Sequence, residues 1–236
     1  MKNCKAAGCS RGASGYGHYC NAHRSRLKRH GDVRQMTITA AYLKPHMAEL
    51  DTWLRRQPGA EKAWAIIEEH FEAMVAQAEG VIRCSVAGPQ HRPTVDACRD
   101  VVAVSREADR RNAILLVMGM IILHHREQRG VFASQKGFVT QLSRRWRGLT
   151  HLHLASYPNL NGGRTKLVYR DANRQRAKAL GELLIEGLGP CAVSIISAQQ
   201  REAERHAKLM ATNIGAVLLN EAHATIPHTF NQDGTL

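Results

Sequence analysis

CKAAGCSRGASGYGHYCNAH, residues 4–23, carries three of the chain's six cysteines and a histidine three positions after the last of them. Cys4 and Cys9 form one close pair and Cys20 and His23 a second, with residues 10–19 between the pairs. Each pair can chelate from a single tight turn, and the glycine-rich loop returns the chain to complete a tetrahedron. The spacing predicts a structural zinc site with Cys4, Cys9, Cys20 and His23 as ligands and no open coordination position. His18 is the rival for the fourth place. His23 is preferred because its distance from Cys20 suits a helix start, where both side chains lie on one side. The loop has too little apolar surface for a core, so metal binding must supply its folding free energy, about 10 kcal/mol or more.

Directly behind the last ligand the chain continues RSRLKRHGD, residues 24–32. Arg24, Arg26, Lys28 and Arg29 leave a segment that the metal would hold rigid, so several of them can reach phosphates together. The chain as a whole carries a formal charge of +13 on 236 residues, and this charge is concentrated. Residues 1–34 hold eight Lys/Arg against one Asp, and residues 131–180 hold ten against one. Two basic islands on a nearly balanced scaffold are the footprint of a polyanion binder. Neither island opposes its charges with the bulky apolar face of a membrane-surface helix.

This opening resembles a short zinc-binding element at the N-terminus of phage-type HNH endonucleases and related DNA-binding proteins of mobile elements. The matching pattern is CxxxxC, a glycine-containing loop, CxxH, and a basic exit ending in His-Gly-Asp, here His30, Gly31 and Asp32. The resemblance covers about the first 33 residues and implies zinc and an association with DNA. Leu27 stands where that family carries an aromatic in the exit helix.

The middle of the chain has helical periodicity. Leu43, Met47, Leu50 and Leu54 form one stripe, stopped by Pro58-Gly59, and Trp64, Ile67, Phe71, Met74 and Val75 form the next. Thr94 is placed to cap a helix bearing Val95, Cys98, Val101 and Val102, and AILLVMGMIIL, residues 113–123, reads as one buried helix. Cys84 and Cys98 are expected to behave as small buried hydrophobes. His124 and His125 diverge by about 100° on a helix and cannot chelate one ion together. The longest apolar run is too short to cross a bilayer, and the N-terminus lacks the apolar region of a secretory signal. A cytoplasmic, reducing location is therefore expected, with thiols or metal ligands in place of disulfides.

In the second island, residues 134–147 predict a helix with Phe138, Val139, Leu142 and Trp146 inward and Gln135, Lys136, Arg144, Arg145 and Arg147 outward. LTHLHLASY and RTKLVYR alternate as strands around the turn sequence PNLNGG, and Asp171 caps a helix that stops at Gly187 to Pro190. A basic helix followed by a hairpin is the layout of a winged helix, with Arg164 and Lys166 near the wing tip. His151 and His153, two apart on a strand, invite comparison with a metal-dependent nuclease site of HNH type. From Ser197, Ala203, Ala207, Met210, Ile214 and Val217 form a seam expected to pack on the middle helices, and it allows a homodimer.

The expected fold is mainly α, with a small zinc-knuckle module, one β-hairpin and a winged-helix-like unit. Residues 1–34 form the zinc-binding basic module. Residues 35–223 form a helical domain whose basic helix-hairpin-helix unit spans 134–188, and residues 224–236 form a tail. The expected function is zinc-containing nucleic-acid binding, duplex DNA favoured, without a membrane partner and without catalysis. The contacts would come from Arg24, Arg26, Lys28, Arg29, Lys136, Arg144, Arg145, Arg147, Arg164 and Lys166. The alternatives are an HNH-type nuclease and a zinc-containing adaptor that binds protein.

Overall fold

The computed structural model describes residues 2–88, 91–126, 130–151, 154–159, 163–169 and 171–224, and for 154–159, 163–169 and 212–224 it describes the backbone only. The helices are α1 (Asn21–His30), α2 (Ala40–Arg56), α3 (Ala60–Ala87), α4 (Arg92–Glu107), α5 (Arg110–Arg126), α6 (Gln135–Arg147) and α7 (Arg174–Ala224). Two compact units divide the chain, Met1–Val193 and Ser194–Leu236.

The first unit is organised around α5. From Ala113 to Leu123 nearly every side chain of this helix is buried, as its unbroken apolar run requires. Helix α2 lies against it through Leu43, Leu50 and Leu54, and α6 packs on it from another side. Helix α3 turns Trp64, Ile67, Phe71, Met74 and Ala78 inward and pairs with α4. The first half of α7 closes the unit at two places where only glycine fits. A Cβ on Gly181 would lie 2.6 Å from Val139 Cγ1, and one on Gly187 would lie 2.6 Å from Met74 Sδ.

One polar cluster lies inside this apolar interior. Asp100 of α4 is 1% exposed and accepts two bonds from Arg176 of α7, Nε at 2.7 Å and Nη2 at 2.6 Å. Arg147 of α6, 4% exposed, reaches the same carboxylate at 3.2 Å, and the indole of Trp146 donates to the Asp100 carbonyl at 3.3 Å. One carboxylate thus ties three helices together, and a buried charge is tolerated only while it is paired in this way.

The mainly α expectation fits, but the winged-helix-like unit is overturned. Residues Leu154–Asn159 (β1) and Gly163–Tyr169 (β2) pair antiparallel, with an irregularity between Tyr157 and Asn159. They form a two-stranded sheet of their own, and no winged-helix-like unit is seen among the described residues. The decisive residues are on α6. A recognition helix must present its outer face to DNA, whereas α6 buries Gly137, Phe138, Val139, Gln141, Leu142, Ser143, Trp146 and Arg147. Its sequence reads as amphipathic because Arg147 counts as surface charge, but Asp100 supplies that arginine with an internal partner.

Three smaller expectations also change. Cys84 is exposed near the end of α3, whereas Cys98 is buried. Helix α7 does not stop at Gly187 to Pro190 but continues through Pro190, because Gly187 serves close approach to Met74 and not termination. Ser197 consequently lies mid-helix, and in the second unit Ala203, Ala207 and Met210 are exposed instead of packed. The window of α7 between Arg174 and Ala211 reaches a mean hydropathy of 1.6, enough in length and composition to cross a membrane, yet half of it is buried in the protein, as for a core helix. The tail beyond Ala224 lies outside the described residues.

The Asp100 cluster makes a direct prediction. Asp100→Ala strands the buried Arg147 guanidinium, removes the partner of the part-exposed Arg176, and lowers unfolding free energy by about 3 kcal/mol. Urea denaturation followed by circular dichroism measures it, and a loss below about 1 kcal/mol contradicts the role given to this carboxylate.

Candidate metal centre

The N-terminal segment folds back on itself through backbone bonds that bring its two ligand pairs together. Cys4 N donates to Arg11 O at 2.9 Å, Lys5 N to His18 O at 2.8 Å, Ala13 N to Lys2 O at 2.8 Å and Ser14 N to Tyr19 O at 3.0 Å. Within the first pair, Cys9 N donates to Ala6 O at 3.1 Å, closing a turn in which Gly8 has a φ of 73°, a conformation that favours glycine. The second pair lies at the start of α1. Cys20 is the N-cap residue and His23 lies on the first turn, three positions on, so both point the same way.

The ligand atoms of Cys4, Cys9, Cys20 and His23 all lie within 4.8 Å of one another. His23 Nδ1 is 3.3 Å from Cys4 Sγ and 3.4 Å from Cys20 Sγ, and Cys9 Sγ is 4.0 Å from Cys20 Sγ. The last distance is about twice a disulfide bond, so these sulfurs are thiols. Three cysteine sulfurs and an imidazole converging on one point form an arrangement that could hold a metal ion. It uses the His23 ring and excludes His18, whose side chain is exposed and whose carbonyl is engaged with Lys5 N. Cys4, Ala6 and Cys20 are the buried residues of this segment, with Cys9, Tyr19 and Val33 against them. The ligands are therefore also the core.

The thiols differ in acidity. Burial pushes Cys4 up, but the backbone N–H groups of Cys20 and Ala6, with His23 and Cys9, outweigh it and bring the thiol down to about 6. For Cys9 the backbone at Arg11 lowers the value, and burial together with the Cys4 and Cys20 sulfurs raises it above the ordinary range. Like charges crowded at one site cannot all form unless a cation joins them.

The far end of α1 is fixed to the helical body. Gly31, at φ 80°, caps the helix through its N–H to Leu27 O at 3.0 Å and lies so close to α6 that a Cβ there would strike Thr140 Oγ1 and come within 2.6 Å of Lys136 O. Gln141 Nε2 donates to His30 Nδ1 at 2.9 Å, and Arg144 Nη1 donates to the Arg29 carbonyl at 3.2 Å, covering the negative end of the helix. Burial and the Arg144 charge hold the His30 imidazole below its ordinary pKa, in the neutral form that can accept from Gln141. Next along the chain, Gln35 is fully buried and binds Met36 O, Val131 O and Ala133 N, while Gln141 Oε1 accepts from Ile38 N.

Between these two fixed ends Arg24, Arg26, Lys28 and Arg29 are exposed. Lys136 is exposed on the first turn of α6, and Arg144 and Arg145 are half-buried further along it. Arg144 also meets Asp171 at 3.5 Å. Arg147 points into the interior and is withdrawn from any surface. Arg164 and Lys166 lie on β2, where the backbone alone is described, and His153 lies outside the described residues; His151 is exposed. Sequence reasoning missed the anchors Gln35, Gly31 and Gln141. The signal was present in Gly31, the glycine after a helix rich in terminal cations, but glutamine in a core has no periodic signature.

Gly31→Ala combines a left-handed backbone with a collision against α6 and lowers stability by about 2 kcal/mol or more. Thermal unfolding of the metal-loaded chain reads this, and a melting temperature equal to that of the unaltered protein contradicts the docking of α1. Comparison with family models, with curated proteins and with solved structures finds no match to this chain.

Proposed function

We propose that this is a zinc-containing nucleic-acid-binding protein, with duplex DNA as the favoured partner, acting in the cytoplasm. The observation that carries the proposal is the mounting of α1. Its N-terminus begins inside the four-ligand cluster and its C-terminus is locked on α6, so Arg24, Arg26, Lys28 and Arg29 are presented from a helix with no freedom to retract. Cations on a rigid element lose less conformational entropy on meeting phosphates than cations on a loose tail. The overall charge of +13 supports the same partner class.

Zinc fits the ligand set. A tetrahedron with Zn–S of about 2.3 Å and Zn–N of about 2.0 Å has edges of about 3.5–3.8 Å. The observed separations of 3.3, 3.4 and 4.0 Å bracket that range. Four protein ligands leave no position for water or substrate, so the ion is structural. A place in the regulation or replication of a mobile element is supported only by the resemblance of the first 33 residues.

Two outcomes are expected. The purified chain holds one zinc ion, and Cys9→Ser holds none and becomes open to proteolysis before residue 20; elemental analysis and limited digestion check both. Arg24→Gln combined with Arg26→Gln weakens binding to a fluorescent duplex and lowers the slope of log affinity against log salt by about 2. A slope equal to that of the unaltered protein removes α1 from the interface, and affinity insensitive to salt favours a protein partner.

A further inference from the structure

The loop between the two ligand pairs does not spend all of its side chains on folding. Tyr19 packs against the buried Cys4, Ala6 and Cys20, whereas Tyr16, three positions earlier, is 104% exposed and rests on no neighbour. A buried aromatic ring is a large apolar contribution to any small core. The segment leaves this one wholly in water, so Tyr16 adds nothing to its folding.

The backbone around Tyr16 is nevertheless fixed. Gly17 N donates to Ser14 O at 3.1 Å and Ser14 N donates to Tyr19 O at 3.0 Å, closing a tight turn with Tyr16 at its tip and Gly15 at a φ of 55°. Lys5 N donates to His18 O at 2.8 Å and ties the turn to the ligand pairs, so a metal ion bound by the cluster would order it as well. Gly15 and Gly17 flank the ring and carry no side chain that could cover its faces. A tyrosine has only two side-chain torsions to immobilise, and mounted in this way it can meet a flat partner at small entropic cost.

The surroundings select that partner. Lys2 and Arg11 adjoin the antiparallel bridge of Asn3 and Gly12 below the turn, Lys5 is held beside it, and all three are exposed. No acidic residue precedes Asp32. An open aromatic face among cations suits a partner in which π-faces alternate with negative charge, as in a nucleic-acid strand. Inside an intact duplex the base faces are already stacked, and the side chains that wedge them apart are apolar. Tyr16 carries a hydroxyl, and its neighbours Ser14, Gly15, Gly17 and His18 bring no apolar side chain to widen a wedge. The ring therefore suits a base whose face is already free.

We infer that Tyr16 stacks on an unpaired base of the bound nucleic acid, so that the chain prefers a duplex with an adjoining single strand to a fully paired one. This rests on the nucleic-acid-binding function proposed above and deepens it: the cations of α1 hold phosphates, and the loop tip supplies a base contact. Stacking reads a π-face and not a hydrogen-bond pattern, so the contact accepts any of the four bases.

The test uses the full-length, zinc-loaded chain and fluorescence anisotropy with two labelled duplexes. Each bears a single-stranded extension of equal length, one with its bases and one made of abasic sites. The phosphates match, so a difference in affinity comes from the bases. The unaltered chain is expected to bind the extension with bases about tenfold more tightly. Tyr16→Ala is expected to lose that difference while keeping its melting temperature, zinc content and salt slope, and Tyr16→Trp is expected to retain it. Equal affinity of the unaltered chain for the two duplexes, or a difference that survives in Tyr16→Ala, overturns the stacking and leaves the phosphate contacts of α1 standing. A lowered melting temperature in Tyr16→Ala assigns the ring to folding and overturns it too. If the unaltered chain binds neither duplex at low salt, the nucleic-acid function fails and the stacking with it.

Discussion

Three sulfurs and one imidazole nitrogen must be held within 4.8 Å of one another by a segment that has almost nothing else to bury. That constraint shapes the first thirty residues of the first unit. Cys4 and Cys20 are at once candidate ligands and core, so a cation bound by these sulfurs would supply much of the free energy that orders residues 2–20. The Cys4 thiol is held low by backbone donors and the Cys9 thiol is held high by its neighbours, so the site without a cation is electrostatically frustrated. A divalent ion bound there would relieve that frustration and, by holding Cys20 and His23, would fix the start of α1.

The same helix is then pinned at its other end by contacts of a different kind. Gly31 allows backbone-to-backbone approach to α6, Gln141 joins His30 to Ile38 N, and the buried Gln35 separately bonds Met36 O, Val131 O and Ala133 N. Such networks are costly when half satisfied and rigid when complete. The knuckle is consequently welded to the helical body, and its arginines point outward from a fixed platform. Charge is divided by location. Arg147 and Arg176 neutralise Asp100 within the body, whereas Arg24, Arg26, Lys28 and Arg29 face solvent.

Much of this was legible in the sequence. The convergence of Cys4, Cys9, Cys20 and His23 was legible in their spacing and in the helix start at Cys20. The core faces of α2 and α3 followed from the 3.6-residue period and the burial of α5 from its unbroken apolar run, with Leu43, Phe71 and Met118 buried accordingly. The failures share one cause: long-range partners. Arg147 reads as a surface charge until Asp100, forty-seven positions earlier, is brought beside it. Gly187 reads as a helix stop until Met74 is seen to need its missing side chain. The winged helix failed for the same reason, since α6 carries the charges of a recognition helix but is enclosed by α1, α4 and α5.

The coordination shell is the most direct test. X-ray absorption at the zinc edge, on the full-length chain purified without added metal, is expected to give three sulfurs at about 2.3 Å and one nitrogen at about 2.0 Å. A shell dominated by oxygen, a lower sulfur count, or no zinc edge at all contradicts the account.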